Sequence, residues 1–355
     1  MISIQAFSKN IVSFIILTST LSAQNLDGLV FGDNNSLDIA TWNIEWFPKN
    51  GQITLDYVSE ILQALDADII AMQELDDTVL FNQMINSLDS YESYYESSWF
   101  AGLAFIYKSS TVEINDIYEI YTTSQFWSPF PRSPMVMDMN FMDENYIIIN
   151  NHYKCCGDGI LDMNNDNDEE TRRYIANTLL KDYIDINFPD DNVIILGDLN
   201  DSLTDDPSNN VFQMFIEDDI NFLFADMSIA MGNVLEWSYP NWPSHIDHIL
   251  ISNELFSLLN NEESYCRTIK IDDFLDGGFN EYDQNVSDHR PVAIKLAMEN
   301  NIFGDINNDE LVNILDVILI VNLVLTENYD QIADINSDNE INILDVVAIV
   351  NLILN

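Results

Sequence analysis

The chain has 355 residues, 47% of them hydrophobic, which excludes a largely disordered protein and leaves room for one large domain and a small one. Its formal charge is −48, with only 12 Lys and Arg. Such a field repels nucleic acid at long range, so a phosphate-bearing substrate would have to be held by bound metal and a few local bases.

Residues 1–23 read as a bacterial-type signal peptide. Lys9 supplies positive charge, Ile11 to Leu21 is a short apolar stretch, and Ser22-Ala23 ends it with small residues. The stretch is too short to span a bilayer, and no later segment looks transmembrane. A secreted protein, extracellular or held at the cell surface, is the expectation.

From Leu37 to Met298 strands and helices alternate. Leu37–Trp46 is strand-like, and Leu55, Val58, Ile61, Leu62 and Leu65 mark one face of a helix. Asp68–Met72 reads as a buried strand and Val79–Leu88 as a helix. Ala101–Tyr107, Met135–Phe141 and Tyr146–Asn150 read as strands. Glu169–Ile186 is a helix whose acidic start suits the helix dipole. Val193–Leu196, Ile246–Ile251 and Pro291–Leu296 are strands again. This mixture suggests two packed sheets covered by helices, in a domain spanning 37–298.

Cys155, Cys156 and Cys266 leave two readings open in an oxidising compartment: one disulfide from Cys266 to one of the adjacent pair, or three unpaired thiols. The acidic loop Asp162–Glu170 begins like a calcium loop with Asp162, Asn164, Asp166 and Asp168, but its twelfth position is Arg173, which cannot be a ligand. It reads as solvated, with a local calcium site as the alternative.

After Met298 basic residues vanish and a repeat appears, its two copies opening at Asp305 and Asp334, 29 residues apart. Oxygen-bearing side chains fall at loop positions 1, 3, 5, 9 and 12: Asp305, Asn307, Asp309, Asn313 and Asp316, then Asp334, Asn336, Asp338, Asn342 and Asp345. Alternating oxygens on a tight loop suit calcium. An apolar helix follows each loop, and the two can bury each other. Residues 302–355 resemble a type I dockerin, which implies two calcium ions and a cohesin-like or cell-surface partner. The sharp-turn position usually given to Gly holds Glu310 and Asn339; Asn tolerates a positive φ and Glu does so poorly. Ile314-Leu315 and Ile343-Leu344 stand at the positions that help dockerins choose a cohesin, and such apolar pairs depart from ordinary cohesin binding.

Six stretches of the larger domain end strand-like runs in polar groups: ThrTrpAsnIleGlu to Glu45, MetGlnGlu to Glu74, AsnAsnHis to His152, GlyAspLeuAsnAsp to Asp201, HisIleAspHis to His248, and SerAspHisArgPro to Pro291. Strand alternation puts Asn43 with Glu45, Asp198 with Asn200, and His245 with Asp247 on shared faces, and turns Trp42, Ile44, Leu199 and Ile246 away into packing. His248 then faces away as a structural residue, and His245 could line the site or its rim. Arg172 and Arg173 open a helix beside the site; they read as a solvated face, with phosphate contact as the alternative.

The ordered set resembles the endonuclease/exonuclease/phosphatase superfamily, the DNase-I-like fold. That resemblance implies a four-layer α/β sandwich, followed here by the small all-α dockerin-like domain. It implies Mg²⁺ or Mn²⁺ held by Glu74, with Asn43, Glu45 and Asp288 nearby. It implies Asp198 as the carboxylate that activates water, Asn200 and His152 as phosphate partners, His289 as acid/base oriented by Asp247, and Arg132 as a substrate contact. The substrate is expected to be nucleic acid, most simply DNA cleaved internally by a monomer; a small phosphoester or sphingomyelin is the alternative. A membrane-acting version would expose aromatic loops such as Trp99-Phe100 or Phe126-Trp127, which read more simply as core or rim.

Overall fold

The computed structural model describes residue 26, residues 28–95 and 102–298, and residues 304–354 apart from positions 308, 310, 327, 330 and 337. The signal-like segment, Trp99-Phe100 and Glu310 lie outside the described residues. No described helix is long and apolar enough to cross a membrane.

Twelve strands form two six-stranded sheets among the described residues. The first sheet holds β1 (Ser36–Phe47), β2 (Ile69–Leu75), β3 (Glu92–Tyr95), β4 (Gly102–Tyr107), β11 (Tyr265–Thr268) and β12 (Val292–Ala297), in the order β11-β12-β1-β2-β4-β3. The second holds β5 (Glu113–Glu119), β6 (Met135–Phe141), β7 (Glu144–His152), β8 (Asn192–Asp198), β9 (Phe222–Phe224) and β10 (Asp247–Ser252), in the order β5-β6-β7-β8-β10-β9. Each sheet has one parallel pair at its centre, β1 with β2 and β7 with β8. A parallel pair needs a crossover, and the helices Gln52–Leu65 and Glu169–Asn187 supply it.

Three apolar layers follow from strand alternation. Ala40, Trp42, Ile70 and Met72 meet Val58, Ile61 and Leu62 of the first crossover helix. Ile147, Ile149, Val193 and Ile195 meet Ala176, Leu180 and Ile184 of the second. Between the sheets lie Leu37, Ile39, Ile69, Ile148, Ile194, Leu196, Ile249 and Ile294. Helix, sheet, sheet and helix therefore stack as the expected four layers. Each fully buried aliphatic side chain contributes about 1.5–3 kcal/mol of transfer free energy.

The C-terminal region has its own small core of Val317, Ile320, Ala333 and Ile349, joining the helices Ile314–Thr326 and Ile343–Leu354. Its loops fold alike. Asp305 Oδ1 accepts from Asp309 N and Asp334 Oδ1 from Asp338 N, each at 3.1 Å. Asp316 Oδ2 accepts from Asn313 N (2.7 Å) and Asp345 Oδ2 from Asn342 N (2.8 Å). Asn339 takes φ of 64°, as its position demands. The helices bury less of each other than their composition suggests, since Ile314, Leu315, Ile318, Ile343, Leu344 and Val347 stay exposed.

A buried ionic network supports the start of β10. Asp226 is fully buried and bonds His245 Nε2 at 2.9 Å and His248 Nδ1 at 2.6 Å. It also accepts from Ile249 N at 2.9 Å, while His248 Nε2 meets Asp201 O at 2.9 Å. Burial alone would raise the Asp226 carboxyl, but the two imidazoles outweigh it and hold it well below the ordinary range. Burial likewise works against the charge on His248, and Asp226 overrides it, raising the imidazole above 6.5. The depressed carboxyl contributes stability above its unfolded value of 3.8 and loses it in acid. The raised imidazole contributes below 6.5 and loses it as pH rises through its folded value. The network thus stabilises most between those two values. Asp226→Asn is expected to cost about 3–5 kcal/mol in urea unfolding, because it strands buried positive charge. The loss should be greatest near pH 5; a change under about 1 kcal/mol there would reject the role.

Candidate active site

The inner faces of the central strands change character toward one edge of the sandwich. On β1, Leu37 and Ile39 give way to Thr41 and Asn43; on β2, Ile69 and Ala71 give way to Gln73. On β7, Tyr146 and Ile148 lead to Asn150 and His152; on β8, Ile194 and Leu196 lead to Asp198. Antiparallel β10 begins at the same edge with Asp247 opposite Asp198. Buried polar groups are costly unless paired, and these pair with one another. Gln73 Nε2 donates to Asn150 Oδ1 at 2.8 Å, and Asn150 Nδ2 donates to the carbonyls of Met72 and Ala104 at 3.0 Å. Asn43 Nδ2 donates to Asp198 Oδ2 at 2.9 Å and to Glu74 Oε1 at 3.3 Å.

Around the strand ends the backbone is strained. Glu45, Trp46, Glu74 and Asn200 take φ of 40°, 53°, 64° and 56°. Such conformations cost about 1–3 kcal/mol each and gather at functional sites. They aim side chains into a cavity of about 570 Å³. Its floor carries Glu45, Glu74, Asp198, Asp288, His152, His289 and Asn200; its rim carries Trp46, Tyr239, Trp242, Ser244 and Ile246, with Cys155 and Cys156 on one wall. Among the described residues no Lys or Arg lines it. Lys49 stands close by, paired with Glu45 and with Asp283.

His289 is held on every side. Its Nδ1 bonds Asp247 Oδ2 at 2.8 Å, and its Nε2 lies 3.9 Å from both Asp198 and Asp288. Tyr282 OH donates to its carbonyl at 2.7 Å, and its own N–H donates to Ser287 Oγ at 3.0 Å. Ser287 in turn donates to Asn43 O at 2.6 Å, tying the two sequence ends of the domain together. Tyr239 lays its ring against the imidazole, centroids 4.8 Å apart.

Burial disfavours charge on His289, but Asp247 and Asp198 outweigh it and push it up to about 10. Burial raises Asp198 to about 7, with Asp247 adding repulsion and His289 opposing. Burial also raises Asp288 to about 6. His152 is pushed well below 6.5 by burial and by the charges of Arg132 and His289. Its Nε2 faces Asp198 at 3.5 Å and Glu74 at 3.8 Å. The site therefore holds a neutral imidazole, a charged one and carboxyls poised near neutrality, the equipment for moving protons around a polar reaction.

Most residues marked by sequence converge here: Asn43, Glu45, Glu74, His152, Asp198, Asn200, Asp247, Asp288 and His289. Arg132 acts on His152 by its charge but does not line the cavity. Several expectations are corrected. His245 is not at the rim, because β10 starts only at Asp247 and His245 turns to Asp226. Ile246, expected to pack inward, lines the cavity for the same reason. Arg173 is neither solvated nor free for phosphate: it is 2% exposed, and bonds Asp201 Oδ2 at 2.8 Å and the carbonyls of Lys154 and Cys156. Arg172 Nε is taken by Ser128 O at 2.6 Å. Of the two readings left open for the Cys residues the structure has the unpaired one: all three are free, Cys266 packed against the inter-sheet core and Cys155 and Cys156 exposed. Of the core-or-rim alternatives for Trp127 the core is ruled out, since its side chain is exposed. Sequence reading missed Gln73 and Asn150, although both continue the period-two pattern; it gave no role to Ser287, which opens SerAspHisArgPro, and it missed Tyr282 and Tyr239, which no motif marks.

Comparison with known proteins agrees with this fold. A model of the endonuclease/exonuclease/phosphatase family matches residues 40–289, and one of the type I dockerin domain matches residues 303–354. No curated protein matches the sequence significantly. In fold the chain is similar to TDP2 of D. rerio complexed with single-strand DNA product, with a TM-score of 0.55 at 14% identity over 74% of this chain and 99% of that one. It is also similar to the human Nocturnin catalytic domain with bound sulfate, with a TM-score of 0.52 at 15% identity over 74% and 94%. A mannosyl-6-phosphatase of Bacteroides thetaiotaomicron gives a TM-score of 0.50 at 15% identity over 73% and 98%. The chain belongs to the endonuclease/exonuclease/phosphatase family.

Proposed function

We propose that this chain is a secreted, divalent-metal-dependent phosphodiesterase that cleaves nucleic acid, with its C-terminal module attaching it to a cohesin-like or cell-surface partner. The family comprises hydrolases of phosphate esters. The observation that carries the reading is the Asp247–His289 pair facing Asp198 across a cavity walled by further carboxylates.

The donor set fits a hard cation. Glu45, Glu74 and Asp288 offer carboxylate oxygens to a cavity that no Lys or Arg lines among the described residues, and Asn43 backs Glu74. Asp198, Asp247 and His289 also lie close enough to share an ion, but His289 Nδ1 is committed to Asp247. Glu74, with Asn43, Glu45 and Asp288 around it, is therefore the cation's place. When bound there, Mg²⁺ or Mn²⁺ neutralises the phosphate and stabilises the leaving oxygen.

The chain's own groups do the rest. Asp198, raised toward neutrality, takes the proton of the attacking water. Asn200 holds a phosphate oxygen beside it. His289, kept charged by Asp247, supports the developing negative charge and returns a proton. His152 stays neutral and donates a hydrogen bond as charge builds. Trp46 and Trp242, 43% and 80% exposed at the rim, offer faces on which bases can stack. Single strands suit this surface better than a duplex, whose charge density the −48 protein repels.

The acidic lining favours one second reading, a phosphoesterase for small substrates. The purified chain is to be assayed with Mg²⁺ or Mn²⁺ on a single-stranded oligonucleotide, plasmid DNA, sphingomyelin and a phosphomonoester. The oligonucleotide should be cleaved, EDTA should abolish cleavage, and His289→Ala should lower kcat by about 10²-fold or more. Cleavage of the small substrates alone would replace the first reading with the second. Undiminished activity in His289→Ala would refute the assigned chemistry.

A further inference from the structure

The loop between β7 and the second crossover helix carries a carboxylate cluster apart from the cavity. Asp158, Asp168 and Glu170 each offer an oxygen within 4.8 Å of the others. Asp162 and Asp166, which gave the loop its calcium-like spelling, are not in that group. Glu170 is the unusual member, because it is only 2% exposed. Its Oε1 accepts from Gly159 N at 2.7 Å and lies 3.3 Å from Arg173 Nη2. Its Oε2 is buried with no partner.

Arg173 does not balance this cluster. Its guanidinium already serves Asp201 and the carbonyls of Lys154 and Cys156. Three carboxylates face one shared cation, and an orphaned buried carboxylate oxygen is expensive. A divalent ion would satisfy both the charge and the oxygen. The donors are all oxygen and sit on an irregular loop, which suits the adaptable coordination of calcium better than the strict octahedron of magnesium.

We infer that Asp158, Asp168 and Glu170 hold a structural calcium ion, distinct from both the catalytic cation and the two C-terminal loops.

The site has a consequence for the cavity wall. Gly157 takes φ of 116°, and a Cβ there would fall 2.1 Å from Glu170 Oε1. The CysCysGly corner is thus pressed onto the Glu170 carboxylate, and both its Cys residues line the catalytic cavity. Fixing Glu170 fixes that wall. Asp168 contributes as well, because it caps the helix by accepting from Thr171 N at 2.9 Å.

The test counts ions and does not depend on any enzymatic activity. The full chain is stripped with EGTA, and calcium alone is titrated back by equilibrium dialysis. Asp158→Asn and Glu170→Gln should each bind one calcium equivalent fewer than the parent. Asp305→Asn/Asp334→Asn should keep the equivalent that those variants lose. Asp158 lies in an exposed turn and its Oδ1 accepts only a local bond from Ile160 N, which Asn can replace, so this variant keeps the test valid if Glu170→Gln does not fold. Equal calcium counts in the parent and in folded Asp158→Asn would overturn the inference.

Discussion

An apolar layer between two sheets cannot hold unpaired amides and carboxylates, and everything at the active edge depends on how this chain pairs them. Gln73 of the first sheet bonds Asn150 of the second, and Asn43 bonds Asp198 across the same gap. These bonds fix the relative register of the sheets where slippage would matter most. A one-residue slip would turn Asn43 or Asp198 into a neighbouring apolar layer. With the register fixed, the parallel pairs deliver Glu74 and His152 to the same edge, and β10 brings Asp247 from the opposite direction.

Order at the candidate site is then inherited from supporting residues that do not line the cavity. Tyr282 receives the Trp42 indole N–H at 2.9 Å and donates to His289 O, so the outer core positions the imidazole. Ser287 joins His289 to Asn43. Arg173, buried under the loop that follows His152, ties the cavity wall to Asp201 at the end of the GlyAspLeuAsnAsp turn. Losing any of these would disturb geometry before chemistry.

Sequence made the strands legible because their apolar alternation is regular, and it made the site legible where polar residues continued that alternation. Asn43, His152 and Asp198 follow the rule. The failures have separate physical causes. His245 and Ile246 precede β10, so strand periodicity did not apply to them. Arg173 sits on a helix whose polar face is covered by a loop, and nothing in a helical pattern reveals what a later fold lays over it. Tyr282, Ser287 and Tyr239 act through contacts that join distant parts of the chain, to Trp42, Asn43 and His289, and such contacts carry no local signature. In the C-terminal repeat the loop spacing was unmistakable, while the exposure of Ile314, Leu315, Ile343 and Leu344 needed coordinates.

A crystal soaked in Mn²⁺ and measured at the manganese edge would locate the cation relative to Glu74 and His289. Manganese should give an anomalous peak in the cavity against the Glu74 carboxylate, with the Asp247–His289 hydrogen bond intact. A cavity without a peak, or an ion bound by Asp247 and His289 with Glu74 left aside, would contradict that placement.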